Sequence, residues 1–286
     1  MLAIIFAILT YLGWGSGDVL DVAATRRMGA LKATFWIYVG GLLISSLYIP
    51  FALKDLARFN IYLLLLNIAI GLIITVCFMA FNEAVKIGNS SIVEVIANSF
   101  SILVVIFSLI FFGESLSLYQ GLAILIILLG LIFSSLKFAD LKMHKLLDKS
   151  TIIALLVMFG WGIGFTFIKI PIKQVGWFWP AYIVDLTGLL LLLSKNIRHL
   201  KNFVSIQRTN FLLTFVDGFL QSLGNFSYTF ALSIGAMAIV APIVGAYPTL
   251  FILLARFVFK DRLNKQQGFG IVFTLIGIIL LAFFSR

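Results

Sequence analysis

The sequence has few charged residues and almost no cysteine or histidine. Charged residues make up 11% of the 286 residues, whereas a soluble domain has about 25%. A water-soluble fold of this length would have too few charges to cover its surface. The single cysteine, Cys77, excludes an internal disulfide framework. The two histidines, His144 and His199, fall in predicted loops away from other ligands, so we expect no metal site.

Several motifs are missing as well. The chain has no glycine-rich phosphate loop and no nucleophile elbow, so we expect neither enzyme activity nor a cofactor. A cleavable signal peptide is not expected, because the apolar stretch 2–12 lacks a basic region before it and a small-residue cleavage site after it. The net charge of +10 does not indicate nucleic-acid binding, since Lys and Arg are spread over short loops.

Apolar residues, in contrast, make up 62% of the chain. This composition indicates that lipid, and not water, surrounds most of the protein. A membrane-spanning helix needs about 20 mostly apolar residues. We therefore predict an all-α integral membrane protein, multi-pass in the plasma (inner) membrane. The ten transmembrane helices are expected near residues 2–24, 33–52, 60–83, 90–112, 118–137, 151–170, 177–194, 210–232, 237–258 and 267–284.

The two halves of the sequence resemble each other at a constant offset of 147 residues. The Gly-Trp-Gly motif around Trp14 recurs around Trp161, and the Gln-Gly pair at Gln120 recurs at Gln267. Each half holds five helices, an odd number, so the second half must enter the membrane from the opposite side. We predict two inverted repeats, 1–137 and 151–286, joined by a connecting loop at 138–150. An accidental duplication in a structural membrane protein is the alternative.

One segment of each half also resembles a known family. The segment 112–121 (FGESLSLYQG), followed by an apolar helix with Gly130, resembles the repeat signature of the EamA family of the drug/metabolite transporter superfamily. The counterpart starts at Lys260 and includes Gly277, and Trp14-Gly-Ser is similar to the family's opening segment. The resemblance implies a ten-helix transporter that works by alternating access. It also implies a central cavity lined mainly by helices 1, 3, 4, 6, 8 and 9.

Acidic residues inside membrane spans are costly and are therefore the first candidates for function. Asp18, Glu94 and Asp217 lie at similar depth from the same side, because a helix rises about 1.5 Å per residue. Each belongs to a polar stripe at helical spacing, which should face the interior. The candidates for substrate or proton binding are Trp14, Asp18, Glu94, Asn98, Trp161, Asp217, Gln221, Asn225, Tyr228 and Tyr247. Alternatively, these polar groups only hold neighbouring helices together.

Other polar residues of the spans have simpler interpretations. Asp21 is either a cavity residue or a solvated carboxylate near the helix end. Asp185 is expected beside the cavity with a partner on a neighbouring helix, and Lys169 is expected to extend to the membrane surface. Trp14 and its counterpart either pack between helices or present their rings to a cation. Tyr247-Pro248 marks either a flexing or binding point or a passive kink.

The basic residues predict an orientation. Most of the 21 Lys and Arg residues lie in odd-numbered loops, which the positive-inside rule assigns to the cytoplasm, with both termini outside. The family resemblance more often implies cytoplasmic termini, so the two indications conflict. We follow the charge distribution because it belongs to this chain.

Three hypotheses for function remain. The first is a secondary-active exporter of a small cationic or zwitterionic metabolite, with a proton exchanged at a carboxylate. The second is a facilitator or exchanger of neutral, sugar-like solutes. The third is a membrane scaffold or intramembrane enzyme without transport. The expected partners are a small-molecule substrate and membrane lipid, without nucleic acid; we expect a monomer, with a dimer as the alternative.

Overall fold

The chain is folded almost entirely into helices. A computed structural model describes residues 1–88, 90–135, 148–195, 201, 204–260 and 263–285. The described residues form α-helices with short connections and no β-strand. Most of the predicted connecting loop, both histidines and Asp261 lie outside this described part.

Ten long helices follow one another along the chain. Their bounds are α1 Leu2–Met28, α2 Ala30–Leu56, α3 Ile61–Ile87, α4 Ser90–Asn98 with Phe100–Phe112, α5 Leu118–Ser135, α6 Lys149–Val175, α7 Phe178–Lys195, α8 Arg208–Ile234, α9 Met237–Val258 and α10 Lys265–Phe284. All except α8 are, among the described residues, long and apolar enough to cross a membrane. Helix α8 is 27 residues long, but polar residues run along the side that it buries. The prediction of an all-α, multi-pass fold is confirmed.

Capping residues fix several helix ends. The side chain of Asn60 accepts a hydrogen bond from the amide of Leu63, and Asn264 forms a capping box with Gln267. At the start of α6, Asp148 accepts hydrogen bonds from Ser150 Oγ at 2.6 Å and from the Thr151 amide at 2.9 Å. These bonds hold the pKa of the exposed Asp148 carboxyl below its ordinary value.

Four of the helices are interrupted. Helix α2 contains a short 3-10 turn at Ser46–Tyr48, and breaks occur in α4 at Ser99, in α6 at Ile168 and in α9 at Ala246. The break in α9 lies between Pro242 and Pro248, both of which lack the amide that a continuous helix needs. The predicted irregularity at Tyr247-Pro248 is therefore present. Such breaks leave backbone groups unpaired, and carriers tolerate them next to a cavity.

The two sides of the membrane domain are defined by its connections. We call the side where α1 begins and α10 ends the terminal face, and the side where α1 joins α2 the odd-loop face. Between them, α1 packs against α8 and α5 packs against α10 more extensively than any other pair of described helices. At the α1–α8 contact, a Cβ on Gly13 would lie only 2.7 Å from the Leu220 carbonyl oxygen, so a glycine is required there.

Candidate functional site

A cavity of about 450 Å³ lies between the helices. Its walls come from α1, α2, α3, α4, α6, α7, α8 and α9, whereas α5 and α10 contribute no lining residue. The six helices implied by the family resemblance are thus all present in the wall. The structure adds α2 and α7, which bring Tyr38 and Asp185 to the cavity.

The lining residues of the cavity extend to the odd-loop face. At the odd-loop face its mouth is lined by Arg26 and Lys86, both exposed, at the ends of α1 and α3. Its inner end is formed by Trp14, Ile168 and Tyr228. Beyond that end, apolar side chains from both halves of the chain fill the interior up to the terminal face. They include Ile4, Ala7, Val104, Ile172 and Met237.

Four carboxylates line the cavity. They are Asp18, Asp21, Glu94 and Asp185, and the only described basic side chains in the lining are the two at the mouth. Asp21, for which two interpretations were open, therefore belongs to the wall. Its Oδ1 accepts a hydrogen bond from Thr25 Oγ1 at 3.1 Å. The wall is consequently acidic in its depth and basic at its entrance.

Asp217 lies behind this wall. It is fully buried, is absent from the lining, and neither carboxylate oxygen has a hydrogen-bond partner among the described residues. Gln221, one helical turn away on α8, reaches the cavity and donates from Nε2 to Asp18 Oδ1 at 3.0 Å. A Cβ on Gly17 would lie 3.1 Å from Asp217 Oδ1 and 2.8 Å from Gln221 Nε2. Asp18, Gln221 and Asp217 therefore form one polar group across the α1–α8 contact.

A second polar group connects α1, α7 and α8. The Trp14 indole Nε1 donates to Asn225 Oδ1 at 2.9 Å, and Asn225 Nδ2 donates to Asp185 Oδ1 at 3.0 Å. Asp185 thus has the predicted partner on a neighbouring helix, but it lies in the cavity wall itself, whereas it was expected beside the cavity. The Trp14 ring packs against Phe165 and Tyr247 at centroid distances of 5.5 and 5.6 Å.

The remaining candidates also line the cavity. Asn98 donates to the Glu94 carbonyl oxygen at 2.9 Å, while its own Oδ1 is buried and has no partner among the described residues. Trp161 donates to the Ile74 carbonyl oxygen at 3.3 Å. Tyr228 donates to the Phe165 carbonyl oxygen at 2.9 Å. Packing and cavity roles are therefore combined in the same side chains, and every predicted site residue except Asp217 lies in the wall.

The expectation for Lys169 was wrong. Its ammonium group does not extend to the membrane surface but forms a buried ion pair with Glu114. These residues are 55 positions apart and belong to different halves, so the sequence offered no direct signal for the pair. In the sequence, Glu114 was marked only by its position in the Phe-Gly-Glu segment, which resembles the family's repeat signature.

Comparisons with known proteins agree with this geometry. The sequence profile described as the EamA-like transporter family matches residues 1–136 and 149–283. The chain belongs to this family. It is therefore a multi-pass membrane transporter of the drug/metabolite type.

Among the described residues, no group of three or more His, Cys, Asp and Glu is placed to hold a metal ion.

Individual relatives are more distant. The chain is 29% identical over 136 residues to an uncharacterised protein of Methanocaldococcus jannaschii. The aligned residues make up 48% of this chain and 98% of that protein. It is 30% identical over 135 residues to a probable amino-acid metabolite efflux pump of Salmonella typhimurium. That match covers 46% of this chain but only 42% of the pump. A protein of known crystal structure shares the fold, with a TM-score of 0.79 at 15% identity over 99% of this chain and 97% of that one.

Proposed function

We propose that this protein exports a small cationic or zwitterionic metabolite across the plasma membrane in exchange for protons. The observation that carries the proposal is the cavity, where four carboxylates face a space whose described basic residues lie only at the mouth. An uncompensated carboxylate inside a membrane is costly, so a cation must neutralise it. An ammonium group or a proton meets that need.

Three carboxylates are the proposed sites of proton exchange. They are Asp18, Glu94 and Asp217, and Asp217 differs from the other two because it lies behind the cavity wall. Aromatic and amide side chains supply the rest of the wall, where an apolar body can pack and hydrogen-bond. These wall residues are Trp14, Asn98, Trp161, Gln221, Asn225, Tyr228 and Tyr247.

The substrate class has independent support. The efflux-pump relative is named for amino-acid metabolites, and amino acids and the amines derived from them are zwitterions or cations at neutral pH. Because that match spans less than half of each chain, it supports a class of solute and not a particular one.

Alternating access requires two exchangeable halves, and contacts that are equivalent under the offset of 147 support the proposed inverted repeats of residues 1–137 and 151–286. A Cβ on Gly15 would meet Leu250 Cβ at 2.8 Å, and a Cβ on the equivalent Gly162 would meet the equivalent Leu103 Cβ at 2.8 Å. The breaks in α4 and α9, at Ser99 and Ala246, are also equivalent.

The packing of α5 against α10 points the same way. A Cβ on Gly130 would contact Thr274 and Gly270 of α10, while a Cβ on Gly277 would contact Ile127 and Ala123 of α5. Each contact becomes the other when the halves are exchanged, as a two-fold axis in the membrane plane requires. The halves can then exchange conformations around the cavity.

The proposed orientation is compatible with export. With the basic odd-numbered loops in the cytoplasm, the cavity is open to the cytoplasm and closed to the outside. A cytoplasmic metabolite can then enter between Arg26 and Lys86 and reach the carboxylates.

Transport by purified protein in liposomes tests the proposal. A mixture of amines, amino acids and sugars is supplied with and without an imposed pH gradient, and the transported solutes are identified by mass spectrometry. We expect gradient-dependent transport of amines or amino acids, and about tenfold or larger losses of rate for Asp18→Asn and Glu94→Gln. The matched control is Asp55→Asn, which changes a half-buried carboxylate in the last turn of α2.

Two outcomes would contradict the proposal. Transport that is independent of the pH gradient and unchanged in Asp18→Asn, Glu94→Gln and Asp217→Asn removes the proton-exchange mechanism. Transport of sugars, with no competition by amines, selects the facilitator of neutral solutes instead, in which the unpaired Asn98 Oδ1 accepts a hydroxyl proton.

A further inference from the structure

A buried ion pair joins the two halves of the chain near the terminal face. Lys169 Nζ contacts Glu114 Oε1, and the side chains are only 6% and 12% exposed. Two other ion pairs occur in the described part of the chain, Asp55–Arg58 and Glu83–Lys86, and their side chains are 37% to 65% exposed. Exposed pairs contribute little, whereas breaking a buried pair leaves an uncompensated charge.

The Glu114 carboxylate also binds the N-terminus of α9. Its Oε1 accepts from the Met237 amide at 2.9 Å, and its Oε2 accepts from the Ala238 amide at 2.7 Å. The free amides at a helix N-terminus favour a negative charge. Burial, the largest single influence, acts to raise the pKa of Glu114, but the bonds from Lys169, Ala238 and Met237 together outweigh it and lower the pKa. The carboxylate is therefore held ionised.

The local backbone explains why Glu114 can reach this position. Gly113 ends α4 in the left-handed conformation at φ 65°, and the Glu114 amide returns to the Ser108 carbonyl oxygen at 3.4 Å. This turn reverses the chain so that the next side chain points back over the helix end. The Gly-Glu pair of the repeat signature thus has a structural reason.

Lys169 connects further segments. Its Nζ lies 3.5 Å from the Gly235 carbonyl oxygen in the α8–α9 connection and 5.6 Å from the centre of the Phe112 ring. The group therefore joins the end of α4, the last part of α6 and the start of α9. Ile168, the residue before Lys169, forms the inner end of the cavity. The ion pair is thus located directly beyond the closed end of the cavity.

From this arrangement we infer that Glu114, Lys169 and the N-terminus of α9 form a lock that keeps the terminal face closed while the cavity is open at the odd-loop face. For the cavity to open at the terminal face, the segments joined by the pair must separate. Glu114 and Lys169 are then positioning residues that set the equilibrium between the two conformations. This inference depends on the proposed function only in assuming that both conformations are visited.

Thiol accessibility measures that equilibrium without any substrate. Two alanines serve as matched reporter positions in a Cys77→Ser background: Ala7, fully buried beyond the inner end of the cavity, and Ala30, in the wall at its mouth. Each is replaced by cysteine and its reaction with a membrane-impermeant thiol reagent is timed. We expect Glu114→Gln and Lys169→Met each to raise the rate at position 7 about tenfold or more and to lower the rate at position 30. Asp55→Asn, on the same face, should change neither.

The double variant Glu114→Gln with Lys169→Met separates a lock from a pair that only stabilises the fold. Removing both charges leaves none unpaired, so thermal stability should recover towards that of the parent. A lock predicts that position 7 nevertheless stays accessible, and that Lys169→Arg, which keeps the charge, stays closed. Recovery of parental accessibility in the double variant, or unchanged accessibility in folded single variants, would overturn the inference. Because the assay needs no solute, a failure of the proposed transport leaves its result intact.

Discussion

Two buried carboxylates, Glu114 at the terminal face and Asp217 towards the odd-loop face, are treated in opposite ways by the fold. Glu114 receives hydrogen bonds from an ammonium group and two backbone amides. Asp217 receives none from the described residues, although it is the more deeply buried of the two. Burial alone therefore does not distinguish a structural carboxylate from a functional one. What distinguishes the two is whether the protein supplies a compensating positive charge, as Lys169 does for Glu114.

The largest effect on stability is expected when one charge of the Glu114–Lys169 pair is removed. Lys169→Met leaves the Glu114 carboxylate buried beside two amides but without its cation, and we expect the free energy of unfolding to fall by about 3–5 kcal/mol. Thermal unfolding in detergent measures the change. Arg58→Met, in the exposed pair of the same face, is the control and should melt like the parent. A Lys169→Met variant as stable as the parent would show that the pair contributes nothing.

The reverse effect is expected at the uncompensated carboxylate. Asp217→Asn preserves the shape and removes a charge that no described group compensates, so the free energy of unfolding should stay the same or rise, by up to about 1 kcal/mol. Proton-coupled transport by the same variant should be lost. A marked loss of stability would mean that Asp217 has structural donors after all, and unchanged coupling would exclude it from proton exchange.

The dependence of stability on pH sharpens the comparison at Glu114. Because its folded-state pKa is lowered, its stabilisation is complete above the ordinary glutamate pKa of about 4.3 and is lost as the pH falls through the folded-state value. The charged groups that face this carboxylate are Lys169, its ion-pair partner, and Lys173, which lies over the Phe112 ring. The stability difference between the parent and Glu114→Gln should therefore be constant near neutral pH and shrink only below about pH 4.3. Shrinkage already near neutral pH would contradict a lowered pKa.

The smallest effect concerns the turn that positions Glu114. Its counterpart in the second half, Lys260, has φ 61° although it is not a glycine. Lys260→Gly should raise the free energy of unfolding by about 1 kcal/mol, because the left-handed conformation is costly for other residues. Gly113→Ala should lower it by a similar amount. Chemical denaturation of both variants checks the pair, and changes of the same sign would mean that the two turns differ.

Much of the fold could be predicted because the membrane imposes simple requirements on a sequence. Apolar runs of sufficient length indicated the helices, and the offset of 147 aligned Trp14 with Trp161. Helix α8 shows that apolar composition alone does not identify every membrane-spanning helix. It keeps its length but falls short of the other helices in apolar character, since its polar stripe with Asp217, Gln221 and Asn225 points inward.

Site residues were predictable where the polar residues of a single helix recur at helical spacing. The stripes on α1, α4 and α8 marked Asp18, Glu94 and Gln221, all of which line the cavity. Contacts between distant segments carry no such periodicity. The position of Asp185 in the wall depends on how α7 packs, and the partner of Lys169 depends on a turn that begins 56 residues earlier, at Gly113.

The central claim is that the uncompensated carboxylates of the cavity bind a positive charge. Binding of phenethylamine and of 2-phenylethanol to the purified protein tests it most directly, because the two molecules differ only in their ammonium and hydroxyl groups. We predict that the amine binds to the parent protein and about tenfold more weakly to Asp18→Asn, while the alcohol binds neither. Equal binding of the alcohol and the amine, unaffected by the substitution, would contradict the account.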